Sequence, residues 1–295
     1  MAEPLLTQDV LRKLEQLTIV ARKVSAGKAK GERRSRRRGS STDFADYRNY
    51  APGDDLRFLD WKIYGRLERL FIKLFLEEED LRVHILIDAS ASMEFGEPPK
   101  LLYARRTAAA LGYICLARMD SLRVQTFGDG LLDSYGPSRG KANRGRYFDF
   151  LSSIEAVQDG TTNLLRAFQS VAQANPLRGM VVVISDFYDF SGYEEAFRRL
   201  FAANFEVLAI QVLSPQELKP EHQGDIRLVD TEFGTTTDIS MGKRVIDTYQ
   251  RTLAAFSQGL KDYLVGRGGH YLLVSTETPF DRLVLDILRR RGFVR

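Results

Sequence analysis

The chain has 295 residues, of which 44% are hydrophobic and 28% are charged, and its net charge is +4. These values are ordinary for a folded protein and argue against an intrinsically disordered chain and against a globally basic nucleic-acid-binding protein. The length suits one large α/β domain with an accessory region. The sequence contains no run of about 20 apolar residues, which a membrane-spanning helix needs, and the segment from Met1 to Gln8 lacks a signal-peptide pattern. We therefore expect a cytoplasmic protein.

The first predicted element is an amphipathic helix from Thr7 to about Val24, with Thr7 as its cap. A basic segment follows, because Arg22 to Arg38 contains nine basic residues and one acid, Glu32. We interpret it as a solvated loop or as a dock for an acidic partner. Nucleic-acid binding is an alternative but is not favoured, because aromatic residues are not interleaved with the arginines. The arginines concerned are Arg33, Arg34, Arg36, Arg37 and Arg38.

The stretch up to Trp61 is rich in Gly, Pro, Asp and Arg, which predicts turns and short strands. Pro52 and Gly53 predict a tight turn that Asp54 and Asp55 cap, with Arg57 paired to a carboxylate. Trp61 is then expected to be a packing anchor, and a partner surface is the alternative. A catalytic carboxylate set formed by Asp54, Asp55 and Asp60 is less favoured. The alternation from Leu70 to Glu78 predicts a strand.

From Val83 onward, short apolar runs alternate with helical patterns, which predicts a mostly parallel sheet with helices on both faces. Strands are predicted at residues 83–87, 122–127, 180–185, 205–213 and 270–274. Helices are predicted at residues 100–117, 146–155, 163–173, 193–201, 244–265 and 279–291. Residues 225–238 predict a hairpin with Gly234 in its turn, and Cys115 is expected in the core. The fold class is therefore α/β and Rossmann-like at residues 81–295, preceded at residues 1–80 by a helix and a small β-rich accessory region.

The candidate site begins where the first of these strands ends. Asp88 closes the apolar run, and Ser90 and Ser92 follow at alternate positions. Alternate side chains of an extended chain share a face, so the three can converge at the carboxyl end of the strand, where open α/β sheets bind ligands. Carboxylate and hydroxyl oxygens suit hard cations, which predicts a site for Mg²⁺, with Mn²⁺ or Ca²⁺ as alternatives.

Two later segments supply further oxygen atoms at the same edge. A loop containing Gly160 leads into a helix and offers the hydroxyl of Thr161 or Thr162, and a second buried strand ends at Asp186. The spacing of Asp88, Ser90 and Ser92 alone is also typical of a turn or helix cap. A folded site without metal is therefore the alternative.

This three-part pattern resembles the metal-ion-dependent adhesion site of von Willebrand factor A domains. The resemblance implies that Thr162 is a ligand, with Thr161 as the alternate, and that Asp186 is the final aspartate, although the family often has Gly where Phe187 stands. It also implies a von Willebrand factor A fold and an open coordination position that an acidic residue of a protein partner fills.

The segment from Tyr47 to Trp61 adds a second resemblance. It contains Tyr-x-Pro-Gly-Asp-Asp-x-Arg-x-x-Asp-Trp and is similar to the bacterial family known as domain of unknown function 58, over roughly Gly31 to the C-terminus. That resemblance implies an adaptor that works beside an AAA+ ATPase of the MoxR type in chaperone-like assembly or maturation.

The pattern offers little for catalysis. His84 lies in an apolar strand, His222 lies in a polar loop and His270 opens a strand, without a serine or cysteine at motif spacing. The segment from Gly128 to Gly130 predicts a turn rather than a nucleotide loop. We therefore expect a cation-dependent protein-interaction protein that is not an enzyme. A metal-dependent hydrolase that uses the same carboxylates is the alternative.

Overall fold

The computed structural model of the chain describes residues 4–20, 44–75, 81–157, 162–174, 179–220, 224–229, 236–279, 282–290 and 292–295. Its contacts divide the chain into two compact units, one formed by Met1–Ala29 and Leu81–Arg295 and one formed by Lys30–Asp80. The N-terminal segment is thus grouped with the larger unit. The predicted division into domains after residue 80 stays a prediction.

A six-stranded sheet lies at the centre of the larger unit, in the order β10-β7-β6-β3-β4-β5. Its strands are β3 (Arg82–Asp88), β4 (Ser121–Phe127), β5 (Leu131–Ser138), β6 (Met180–Ser185), β7 (Glu206–Leu213) and β10 (His270–Ser275). Only β5 is antiparallel to its neighbour within this sheet. The predicted α/β fold with a mostly parallel sheet is therefore confirmed.

Helices cover both faces of this sheet. The larger unit contains α1 (Gln8–Leu14), α3 (Lys100–Ala117), α4 (Arg144–Ser153), α5 (Leu164–Ala174), α6 (Glu194–Ala202), α7 (Pro215–Leu218) and α8 (Lys243–Gly266). In β3, Ile85 and Ile87 pack with α1, α3 and α4, whereas Leu86 packs with α5, α6 and α8. Successive residues of a strand point to opposite faces, so this alternation gives the sheet a core on each side.

The N-terminal helix is shorter than predicted. It begins after the cap Thr7 but ends at Leu14. Beyond it, Ile19 pairs with Val294 in an extended bridge, supported by a hydrogen bond of 2.9 Å from the Thr18 backbone N–H to the Arg295 carbonyl. Thr18 and Ile19 are β-branched residues that favour extended backbone, and the C-terminal residues supply a strand-like partner that helical periodicity does not reveal.

Three further elements differ from the predictions. Strand β5 and the short helix α7 were not predicted, and the last predicted helix contains a π-helical segment at Leu283–Leu288.

The turn predicted at Gly128 is confirmed by a hydrogen bond of 2.9 Å from its N–H to the Gly130 carbonyl. The predicted hairpin is present as β8 (Gly224–Val229) and antiparallel β9 (Thr236–Met241), and Cys115 is buried as expected.

The smaller unit contains the signature segment. It holds β1 (Phe44–Asn49), antiparallel to β2 (Phe71–Phe75), and the short helix α2 (Trp61–Leu67). The predicted capping roles are confirmed, because Asp54 accepts a hydrogen bond of 2.9 Å from the Ala51 N–H and Asp55 accepts one of 3.1 Å from the Arg57 N–H. The predicted pairing of Arg57 with a carboxylate is confirmed by its contact of 2.5 Å with Asp55. Asp60 caps α2.

The prediction that Trp61 is a packing anchor is wrong. Its side chain is 64% exposed and lies edge-on to Tyr64 with ring centroids 6.2 Å apart. The buried residue at this point is Asp60, which accepts a hydrogen bond of 3.0 Å from the Tyr47 hydroxyl and pairs with Lys73 at 3.1 Å. Burial acts to raise the pKa of Asp60, but hydrogen bonds, the largest from Lys73, lower it to about 2.

Several predictions fall outside the described residues. These concern the arginine run at Arg33–Arg38, Thr161, His222, Gly234 and the end of the strand predicted up to Glu78. No helix among those that the structure describes is long and apolar enough to cross a membrane.

Candidate metal centre

Asp88, Ser90 and Ser92 lie together at the carboxyl end of β3. The Ser90 N–H donates to Asp88 Oδ1 at 2.9 Å, and the hydroxyls of Ser90 and Ser92 are 3.1 Å apart. The prediction that these side chains converge is therefore correct, but the cause differs from the expected one. The strand ends at Asp88 and the chain turns into a 3₁₀ helix at Ala91–Glu94, so a tight turn brings the hydroxyls together.

Asp186 joins this cluster from the neighbouring strand. β6 pairs directly with β3 in parallel, so both strands end at the same edge. Asp186 follows β6, is fully buried and accepts a hydrogen bond of 2.8 Å from the Ser92 hydroxyl through Oδ2. Its Oδ1 accepts from the Tyr188 N–H at 3.1 Å. The hydrogen-bonded cluster thus joins residues 94 positions apart in sequence.

Thr162 lies at the same edge. It is buried, and the backbone N–H groups of the next two residues donate hydrogen bonds to loops that follow strands of the sheet. The Asn163 N–H donates to the Gly128 carbonyl at 2.9 Å, just after β4, and the Leu164 N–H donates to the Asp189 carboxylate at 2.7 Å, just after β6.

Three residues that the sequence analysis missed complete the buried network. The Ser185 hydroxyl donates to Asp88 Oδ2 at 2.5 Å and accepts from the Phe187 N–H at 2.7 Å. The ammonium group of Lys100 lies 2.7 Å from Asp186 Oδ2 and 2.7 Å from Glu217 Oε1.

Two of the three missed residues had a signal in the sequence. Lys100 is the first residue of a helix, where a cation is disfavoured by the helix dipole and so needs another partner. Glu217 follows Ser214 by three positions, the spacing of a capping box, which the structure shows to be present. Ser185 carried no comparable signal beyond its place next to Asp186.

The buried charges of this network do not balance. Three carboxylates, those of Asp88, Asp186 and Glu217, stand against the single ammonium of Lys100, so these four groups carry −2 when all are ionised. Burial, followed by the charge of Asp186, raises the pKa of Asp88 far above that of an ordinary aspartate. Burial acts to lower the pKa of Lys100, but Asp186 and Glu217 outweigh it and raise that pKa.

The donor set fits a small divalent cation in charge and in chemistry. A charge of +2 would neutralise the excess of the four buried groups, and the paired hydroxyls of Ser90 and Ser92 offer neutral oxygen ligands beside two carboxylates. Within the described ranges, no three Asp, Glu, His or Cys side chains come together to hold a metal. A cation here would therefore depend on hydroxyl and water ligands in addition to carboxylates.

A cavity of about 440 Å³ opens beside Ser90. An exposed ion pair lies at its wall, with Arg166 3.0 Å from Asp129. The other lining residues are Gly128, Gly130, Leu131, Leu132, Val157 and Ser170. The cavity lies on the Ser90 side of the cluster, and Ser90 itself is buried.

Comparisons with known proteins give relatives whose functions are not described. An uncharacterized protein of Mycobacterium bovis and one of Mycobacterium tuberculosis are each 26% identical over 259 residues, which cover 86% of this chain and 81% of the relative. An uncharacterized Mycobacterium avium protein is 29% identical over 135 residues, covering 44% of this chain and 78% of that one.

Solved structures with some similarity come from Bacteroides. The conserved hypothetical protein BatB of Bacteroides thetaiotaomicron has a TM-score of 0.44 and 17% identity, covering 71% of this chain and 98% of that one. An aerotolerance-related membrane protein of Bacteroides fragilis has a TM-score of 0.46 and 17% identity, covering 71% and 99%. The family model described as protein of unknown function DUF58 matches residues 46–258, and the chain belongs to that family.

Proposed function

We propose that this chain is a von Willebrand factor A-like protein that binds a protein partner through a divalent cation, most simply Mg²⁺. The proposed ligands are Asp88, Ser90, Ser92, Thr162 and Asp186. The observation that carries the proposal is the cluster of three buried carboxyl groups around one ammonium, beside two hydroxyls, at the carboxyl edge of a mostly parallel sheet. Burying unbalanced carboxylates costs free energy, and a bound cation would remove much of that cost.

The residues of the chain have distinct tasks in this proposal. The hydroxyls of Ser90 and Ser92 contribute neutral oxygens, and hydrogen bonds from backbone N–H groups hold Asp88 and Asp186 in place. Because few ligands are charged, the bound cation keeps an electrophilic position for a carboxylate of the partner. Binding to that partner would then depend on the metal.

The partner and setting are proposed from the resemblance noted in the sequence. A MoxR-type AAA+ ATPase is the proposed partner, in a cytoplasmic assembly or maturation role. We propose binding rather than histidine-assisted catalysis because the two histidines in the described part of the chain, His84 and His270, lie towards the amino ends of β3 and β10. They are at the opposite edge of the sheet from Asp88, so neither can act as a base beside the cluster.

Metal binding is tested first, by titrating the purified chain with Mg²⁺ in a calorimeter and by following its thermal unfolding. The wild type is expected to bind Mg²⁺ and to be stabilised by it, and Asp88→Asn is expected to lose both effects. Asp129→Asn is the matched control, because Asp129 is an exposed aspartate at the same edge. Wild-type protein that does not respond to millimolar Mg²⁺ would refute the proposal.

Partner binding is tested with a purified MoxR-type ATPase from the same organism, immobilised and incubated with the chain with Mg²⁺ or with EDTA. Retention is expected only with Mg²⁺, and Ser90→Ala is expected to reduce it at least tenfold. Equal retention in EDTA would exclude a metal-bridged contact.

A further inference from the structure

Lys100 places a fixed positive charge inside the candidate metal centre. Its side chain is 1% exposed, and its ammonium contacts Asp186 and Glu217 at 2.7 Å each. The rings of Phe95 and Tyr188 lie 5.9 and 5.4 Å from the same nitrogen. The charge is thus enclosed by carboxylates and aromatic faces and is held at one position.

Glu217, the second partner of the Lys100 ammonium, is itself fixed by hydrogen bonds with Ser214. Its Oε2 accepts a hydrogen bond of 2.7 Å from the Ser214 N–H, while its Oε1 faces Lys100. Ser214 follows β7, and the Ser214 hydroxyl in turn accepts from the Glu217 N–H in a capping box. The ammonium therefore has a second carboxylate partner besides Asp186.

The ammonium and a proposed metal ligand share one oxygen atom. Asp186 Oδ2 accepts from Lys100 Nζ at 2.7 Å and from the Ser92 hydroxyl at 2.8 Å, so these two donors are at most about 5.5 Å apart. A divalent cation held by the Ser92 hydroxyl would lie close to a like charge in a water-poor environment, where repulsion is weakly screened. Lys100 also neutralises part of the negative charge of Asp186 that would attract the cation.

We propose that Lys100 is a built-in cation that competes with the divalent metal for Asp186 and keeps the metal affinity of the free protein low. This rests on the proposed function of the same site. The consequence is that firm retention of the metal requires the additional negative charge of a partner carboxylate. Metal and partner would then bind cooperatively, each increasing the affinity for the other.

The test compares the Mg²⁺ affinities of variants of the full chain by calorimetry, with Mg²⁺-induced thermal stabilisation as a second readout. Lys100→Met is expected to bind Mg²⁺ at least tenfold more tightly than the wild type. Lys100→Arg, which keeps the charge, is expected to stay within about threefold of the wild type.

A second pair of variants guards against loss of folding, because Lys100→Met leaves Glu217 without its cation. Glu217→Gln is compared with the double variant Lys100→Met/Glu217→Gln, in which no buried carboxylate of Glu217 remains to be paired. The double variant is expected to bind Mg²⁺ at least tenfold more tightly than Glu217→Gln alone.

The outcomes separate this inference from the proposed function. Equal or weaker Mg²⁺ binding after removal of Lys100, in proteins that fold, overturns the inference and leaves metal binding intact. If the wild type does not bind Mg²⁺ at millimolar concentration, the proposed function fails, and the inference, which rests on it, fails with it. Tighter binding in both charge-removing comparisons, but not in Lys100→Arg, supports competition by the ammonium.

Discussion

Replacing Ser185 with alanine removes one hydroxyl that serves two buried groups. The hydroxyl donates to Asp88 Oδ2 at 2.5 Å and accepts from the Phe187 N–H at 2.7 Å. Ser185 and Asp88 are both fully buried, so water cannot readily replace the lost oxygen. The substitution leaves a carboxylate with one donor fewer and a backbone N–H without its acceptor.

The size of the effect follows from these two losses. A hydrogen bond to a charged group contributes about 1.5 to 3 kcal/mol, and a buried donor left without a partner costs about 1 to 3 kcal/mol. Because the two losses share one oxygen and the site can relax, we expect Ser185→Ala to lower the free energy of unfolding by about 2 to 4 kcal/mol.

Urea denaturation at neutral pH measures this difference, and an unchanged slope would show that the unfolding reaction is the same. Ser153→Ala is the matched control, because the Ser153 hydroxyl is exposed and donates to the Phe150 carbonyl within the last turn of α4. The control should change stability by less than about 0.5 kcal/mol. A loss below about 1 kcal/mol in Ser185→Ala would refute the assignment of Ser185 as the donor that holds Asp88.

Two further predictions concern the core on which the site is built. Burial, followed by the charges of two nearby arginines, lowers the pKa of His84 from 6.5 to about 4. The neutral form of His84 stabilises the folded state above pH 6.5, and this stabilisation is lost as the pH falls towards 4. Between pH 7.5 and 4.5, the free energy of unfolding measured with urea should therefore fall by about 2 to 3 kcal/mol more in the wild type than in His84→Leu. An equal fall in both proteins would contradict a buried neutral histidine. A methyl group at Gly112 would overlap the buried ring of Tyr147, so Gly112→Ala should lower the thermal midpoint, although alanine favours helix. Gly266→Ala, at a helical position with open space, should be neutral or slightly stabilising, and the same response in both variants would argue against the overlap.

The candidate site could be predicted only in part from the sequence. Asp88 and Asp186 each follow an apolar strand, and parallel strands end at one edge, so their proximity follows from local patterns and one topological rule. Lys100 and Glu217 are 117 positions apart and meet across the ends of different elements. Local periodicity carries no information about such a pairing.

The accessory region shows the same division between local and long-range information. The capping roles of Asp54 and Asp55 follow from turn chemistry, which acts over two or three residues. The exposure of Trp61 does not, because burial depends on which distant segments pack against a side chain.

Composition and periodicity by themselves predicted the α/β class, most strands and helices of the larger unit and the positions of Asp88 and Asp186 at the ends of two buried strands. These features follow from local backbone preference and from the alternation of apolar residues. The tertiary structure alone decided that the N-terminal helix stops at Leu14, that β5 closes one edge of the sheet and that Lys100 enters the cluster. The end of the helix and the position of Lys100 depend on partners distant along the chain, and packing against those partners outweighs the local preference. β5 instead pairs with β4, its neighbour in the sequence, so its formation is a local hairpin that the periodicity did not reveal.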